Sequence, residues 1–157
     1  MLQFLLERNR YIGNGFEEAI TLNNHAFEYL LEGRFQEALP EFDQAANLFH
    51  VLGDPVQSAN SRSNFWLCRF ESSDLEVSGQ VEAELKTLAE ILTDARYWQA
   101  RKPLILLAKL AESRGDLETA IAFAKMAVDA SKGSGTRYSE TDLQYFQQLQ
   151  ELKLRAT

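Results

Sequence analysis

The sequence predicts an all-α chain. All eight glycines of its 157 residues fall outside the strongest helical patterns, and between them apolar residues recur at intervals of three and four. No segment of useful length alternates with period two, so no sheet is expected. The opening stretch, Met1 to Ile12, carries Leu2, Leu5 and Leu6 and reads as an N-terminal cap. From Gly15 to Glu32, Ala19, Leu22, Ala26, Tyr29 and Leu30 share one helical face. Phe35, Ala38, Leu39, Phe42, Ala45, Ala46 and Phe49 repeat the pattern, with Pro40 placed where a missing N–H costs little. Asp54 and Pro55 read as an N-cap and a first-turn proline for a third helix marked by Val56, Ala59, Ser63, Trp66 and Phe70.

A polar stretch from Glu71 to Gly79 separates that helix from a fourth, marked by Val81, Leu85, Leu88, Ala89 and Leu92. The fifth carries Leu104, Leu107, Ala108 and Ala111, with Pro103 either starting it or kinking an extension from Tyr97. Leu117, Ala120, Ile121, Ala124, Ala127 and Val128 mark the sixth. Beyond Gly133-Ser134-Gly135, Ser139 and Asp142 resemble a capping box for a last helix through Leu143, Phe146, Leu149 and Leu152.

Composition bounds the function. With 45% hydrophobic and 25% charged residues the chain falls in the globular range. Sixteen Lys and Arg against 23 Asp and Glu give a net charge of −7, which disfavours nucleic acid or an anionic membrane as partner. The charge is uneven: residues 1–94 hold 16 acids and 6 bases, residues 95–157 hold 7 acids and 10 bases. Cys68 stands alone, which excludes an internal disulfide and a cysteine zinc site. The most apolar stretch, Pro103 to Ala111, is broken by Lys109 and is too short for a membrane helix. Nor does the start resemble a signal peptide, so a cytoplasmic protein is the expectation.

The chain repeats itself. Gly33-Arg34-Phe35-Gln36-Glu37-Ala38 returns 82 residues later as Gly115-Asp116-Leu117-Glu118-Thr119-Ala120. Ala26 and Ala108 lie seven residues before the two glycines, and Phe42 with Ala45 matches Ala124 with Ala127 after them. This resembles the tetratricopeptide repeat, a helix–turn–helix unit in which small residues let two antiparallel helices pack closely. A degenerate middle copy fits between, with Trp66 in the place of Ala26 and Ala108, Arg62 in an apolar slot, and Ser73-Asp74 for the turn glycine. Spacings of 40 and 42 residues point to a long-helix variety. The resemblance implies a right-handed superhelix of antiparallel hairpins over a single domain, 1–157. Its parts would be a cap at 1–14, repeats at 15–53, 54–94 and 95–133, and a capping helix at 138–157.

Residues that could carry catalysis do not converge. His25 and His50 sit on separate predicted helices, and His25 fills a packing slot. Gly13-Asn14-Gly15 is too short for a phosphate loop, and Gly133-Ser134-Gly135 has no strand before it. Arg69 follows Cys68, but helical neighbours point about 100° apart. Neither an enzyme nor a cofactor or metal site is expected.

Binding is the better expectation. The resemblance implies that the first helix of each copy lines a concave groove. Carried across, the facing positions are Ile20, Asn23, Asn24, Phe27 and Leu30, then Asn60, Ser63, Asn64, Leu67 and Phe70, then Lys102, Ile105, Leu106, Lys109 and Glu112. An asparagine amide donates and accepts at once, which suits an extended peptide backbone. Lys102 and Lys109, seven residues apart and so on one face, favour an acidic group. Of the five positions of the family's carboxylate clamp only Asn64 and Lys102 match, so recognition of a chaperone tail is not implied. The expected partner is a protein or peptide with hydrophobic anchors and an acidic group. The alternatives are a second copy of the chain, buried through Trp66, Trp98 and Phe70, or a regulatory role within a larger protein.

Overall fold

The computed structural model describes residues 2–11, 14–72 and 79–157. Among them every regular element is helical. The helices are α1 (Leu2–Tyr11), α2 (Gly15–Leu31), α3 (Phe35–Val51), α4 (Pro55–Glu71), α5 (Gly79–Asp94), α6 (Arg101–Ser113), α7 (Leu117–Ser131) and α8 (Thr136–Arg155). Short 3₁₀ turns, Trp98–Ala100 and Lys132–Ser134, precede α6 and follow α7. The chain divides into two compact units, residues 1–75 and 76–157. The stretch 54–94, expected as one hairpin, is thus shared between the units, and Ser73-Asp74 lies outside the described residues.

Local chemistry fixes where the helices begin. Asn14, Asp54 and Asp116 each accept a backbone N–H three residues on, from Glu17, Gln57 and Thr119 at 3.0, 3.0 and 3.1 Å. Each such cap satisfies one of the donors a helix start leaves open. The hydrogen bonds from Thr119 hold the Asp116 carboxyl below its ordinary range. Pro103 falls within the first turn of α6, and the extension from Tyr97 is the 3₁₀ turn rather than a kinked helix. Pro40 is the sixth residue of α3, past the first turn, so it deprives the Gln36 carbonyl of an intrahelical donor.

Consecutive helices within each unit pack as antiparallel neighbours. In the first unit Leu6, Leu22 and Ala45 form one buried cluster, joining α1 to the α2–α3 pair. Ala26, Ala38, Phe42 and Cys68 form a second, joining α2, α3 and α4. In the second unit Ala108, Ala111, Ala120, Ala124 and Leu149 join α6, α7 and α8. The repeat-related residues Ala26 and Ala108, Ala38 and Ala120, Phe42 and Ala124, and Ala45 and Ala127 are all fully buried. Alanine at all of these places but Phe42 lets two helix backbones approach, and buried packing together with the turn glycines Gly33 and Gly115 is what recurs after 82 residues.

Polar pairs lock the same neighbours. His25 Nδ1 lies 2.6 Å from Glu41 Oε2, tying α2 to α3, with the Tyr29 ring edge-on to the imidazole. Arg62, which takes an apolar slot in the repeat pattern, donates to Asp43 at 2.6 Å and to Asn47 at 3.3 Å, tying α4 to α3. Its guanidinium also lies over the Phe65 ring, 5.3 Å from the centroid, so the charge in this slot meets both an aromatic face and polar partners.

Candidate functional site

The residues expected to line a groove divide between the units, and several are closed off. In the first unit Asn60 and Asn64 are buried, 6% and 1% exposed. Expected as peptide-facing amides, they leave little surface open. Asn64 donates its Nδ2 to Asn23 Oδ1 at 3.2 Å, and the buried Ser61 donates its hydroxyl to the same oxygen at 2.9 Å. The polar side of α4 is therefore turned inward and tied to α2, where buried amides need protein partners. Asn24 is exposed, while Asn23, Phe27, Leu67 and Phe70 are half-buried. Asn24 borders a shallow polar hollow, about 690 Å³, that also holds His25, Glu28 and Glu41.

In the second unit Lys102, Ile105 and Lys109 share α6. Lys102 is buried, and that burial, with Arg101 adjacent, pushes its ammonium down to about 7. Desolvation there disfavours its charged form. Ile105 and Lys109 are half-buried.

The second unit places another set of residues around a pocket of about 540 Å³ where α5 ends and α6 begins. Tyr97, Trp98, Leu104 and Met126 give it apolar walls, and Arg96 and Asp129 give it charge. A smaller hollow of about 280 Å³ shares Thr93, Leu104 and Met126 with it and continues toward Leu107 and Phe123. Together they make a groove over α6, between α5 and α7. The larger hollow alone has the size of a ligand site.

The Trp98 wall is held from behind. The Trp98 ring stacks on Tyr138 of α8, 5.5 Å between centroids and 22° from parallel. Above Tyr138, at 4.5 Å, lies the Arg101 guanidinium. Arg101 in turn donates from Nε and Nη2 to the two oxygens of the buried Asp142, both at 2.7 Å. A bidentate pair of this kind fixes orientation as well as contact. Asp142 is therefore a tertiary partner rather than half of a capping box, and the Ser139 hydroxyl donates to the Gly135 carbonyl instead. Gly133 completes the wall, since a Cβ there would stand 3.1 Å from the Trp98 Cβ.

Arg96 sits at the pocket in a left-handed conformation, φ +54°, the one such non-glycine among the described residues. The turn it makes recurs along the chain. At Gly33, Gly53 and Gly115, with φ of +75°, +80° and +77°, the N–H donates three residues back and the next N–H five back. Arg96 and Tyr97 make the same two bonds, to Thr93 at 2.9 Å and Leu92 at 3.0 Å. This is the helix-ending motif that favours glycine.

None of Arg96, Tyr97 and Met126 stood out in the sequence as a site residue. The one signal was positional: the motif that uses glycine at the three other turns meets Arg96-Tyr97-Trp98 here. The remaining candidates for chemistry are quiet. Cys68 is fully buried, and burial, with Glu71 nearby, pushes its thiol up to about 11. Among the described residues no His, Cys, Asp and Glu side chains gather as metal ligands, and no helix is long and apolar enough to cross a membrane. No family model matches the chain, and neither a curated protein nor a solved structure matches it.

Proposed function

We propose that the chain is a protein-interaction module of tetratricopeptide-like architecture that takes a segment of another protein. Sequential antiparallel helices within each unit, with small residues buried at most of the repeat-related positions, support the architectural part. The observation that carries the binding part is the apolar pocket walled by Tyr97, Trp98, Leu104 and Met126. An apolar recess with a few charged groups at its mouth suits an anchor side chain of a peptide or helix. This relocates the site from the buried asparagines to the face of α6 between α5 and α7. Trp98→Ala removes one wall without touching the buried clusters. It is expected to weaken capture of a natural partner at least tenfold in a pull-down quantified against wild type. A partner held equally well by wild type and by Trp98→Ala, with unchanged circular dichroism, would refute the assignment.

A second reading rests on the first unit. Phe16 and Ile20, one helical turn apart on α2, are 42% and 47% exposed, and Leu52 at 37% lies beside Gly15. An exposed apolar face of this kind suits a second copy of the chain. Sedimentation at graded concentration reads it directly, and a strict monomer discards it.

A further inference from the structure

Arg96 holds a place where the three sister turns use glycine, in a backbone conformation that disfavours any side chain with a Cβ. A residue kept in such a conformation points to a role for its side chain. Arg96 is exposed and is one of the residues bordering the apolar pocket. Among the described residues no carboxylate pairs with it, and the pocket's one acid, Asp129, is held by Lys132 at 3.2 Å. The Trp98 wall beside it is held in place because its ring stacks on Tyr138 of α8, which Arg101 of α6 covers while pairing with Asp142. A fixed apolar recess thus has an unengaged guanidinium at its edge.

We propose that this pocket selects protein segments in which an acidic side chain stands next to an aromatic or aliphatic one, with Arg96 as the residue that reads the acid. The inference rests on the interaction-module reading above. The apolar side chain enters against Trp98, Leu104 and Met126, and the carboxylate meets the planar fork of donors on Arg96. The arginine is a specificity determinant; the apolar walls supply most of the contact.

The test uses the full chain and a random peptide display library. Selection on wild type is expected to enrich Asp or Glu beside Leu, Phe or Trp. A synthetic enriched peptide is then compared with its Glu→Gln form by fluorescence anisotropy at low salt. The amide form is expected to bind wild type about tenfold more weakly and to bind Arg96→Gly no differently from the acid. Arg96→Gly suits the left-handed turn, so it folds. If acid and amide forms differ equally on both proteins, Arg96 does not read the acid and the inference falls. The module reading would survive that result provided Trp98→Ala still weakens both peptides. If no sequence enriches on wild type, both fall.

Discussion

A left-handed residue with a full side chain costs about 1 kcal/mol relative to glycine at the same place. Arg96→Gly is therefore expected to raise stability by about 1 kcal/mol, read as a higher urea midpoint with unchanged slope. A gain in stability joined to a loss of acid preference would mark the arginine as kept for binding. Lys102 makes a pH-dependent case. Its folded-state value lies near 7, below the ordinary 10.5, so between those limits the unfolded chain binds the extra proton. Stability through this group therefore rises as pH climbs from about 7 to 10.5, and below 7 the full penalty of a buried ammonium is present. Lys102→Met is expected to remove that slope and to stabilise the protein at pH 6 by a few kcal/mol, since one pKa unit is about 1.4 kcal/mol. Denaturant melts across that pH range check both parts. The sequence could not reveal this burial. Lys102 and Lys109 share a face by spacing alone, and spacing does not say which side of a helix meets protein. The burial of Asn64 was hidden for the same reason, because it depends on its contact with Asn23, which Ser61 shares.

Helix boundaries were more legible than helix partners. Glycines 33, 53 and 115 end helices as read, and Asp54 caps α4 as read, because turn and cap chemistry are local. The end of α5 was harder, since the same turn is made there without glycine. Asp142 shows the opposite limit. Three residues after Ser139 it has the form of a capping box, yet its partner is Arg101, 41 residues back. That pair joins the first turn of α6 to α8 in a largely desolvated place, the two side chains 13% and 2% exposed. Removing one partner strands the other charge, so Asp142→Ala is expected to cost about 3–5 kcal/mol. It should also free Tyr138 and with it Trp98. In a Trp66→Phe background, where Trp98 is the sole indole, its emission is expected to shift to the red before any global unfolding. An unchanged spectrum would mean the stack stands without the ion pair.

At the scale of the whole molecule, the all-α class and the 82-residue internal repetition were available from periodicity, because the apolar positions Ala26, Ala38, Phe42 and Ala45 and their counterparts Ala108, Ala120, Ala124 and Ala127 are buried for packing. The division into two units was not, since the polar stretch after α4 reads equally well as a loop inside a hairpin. Each unit carries its own buried clusters, and only the first contains a thiol. Cys68 lies at the centre of the α2–α3–α4 cluster, fully shielded, with its Sγ 3.7 Å from the Phe35 carbonyl oxygen. An alkylating reagent cannot reach it, and burial keeps it from forming thiolate, until those helices part. The chain thus carries its own clock for one half of itself. The rate at which a thiol reagent marks the native protein counts the openings of the α2–α4 cluster and is blind to events confined to α5–α8.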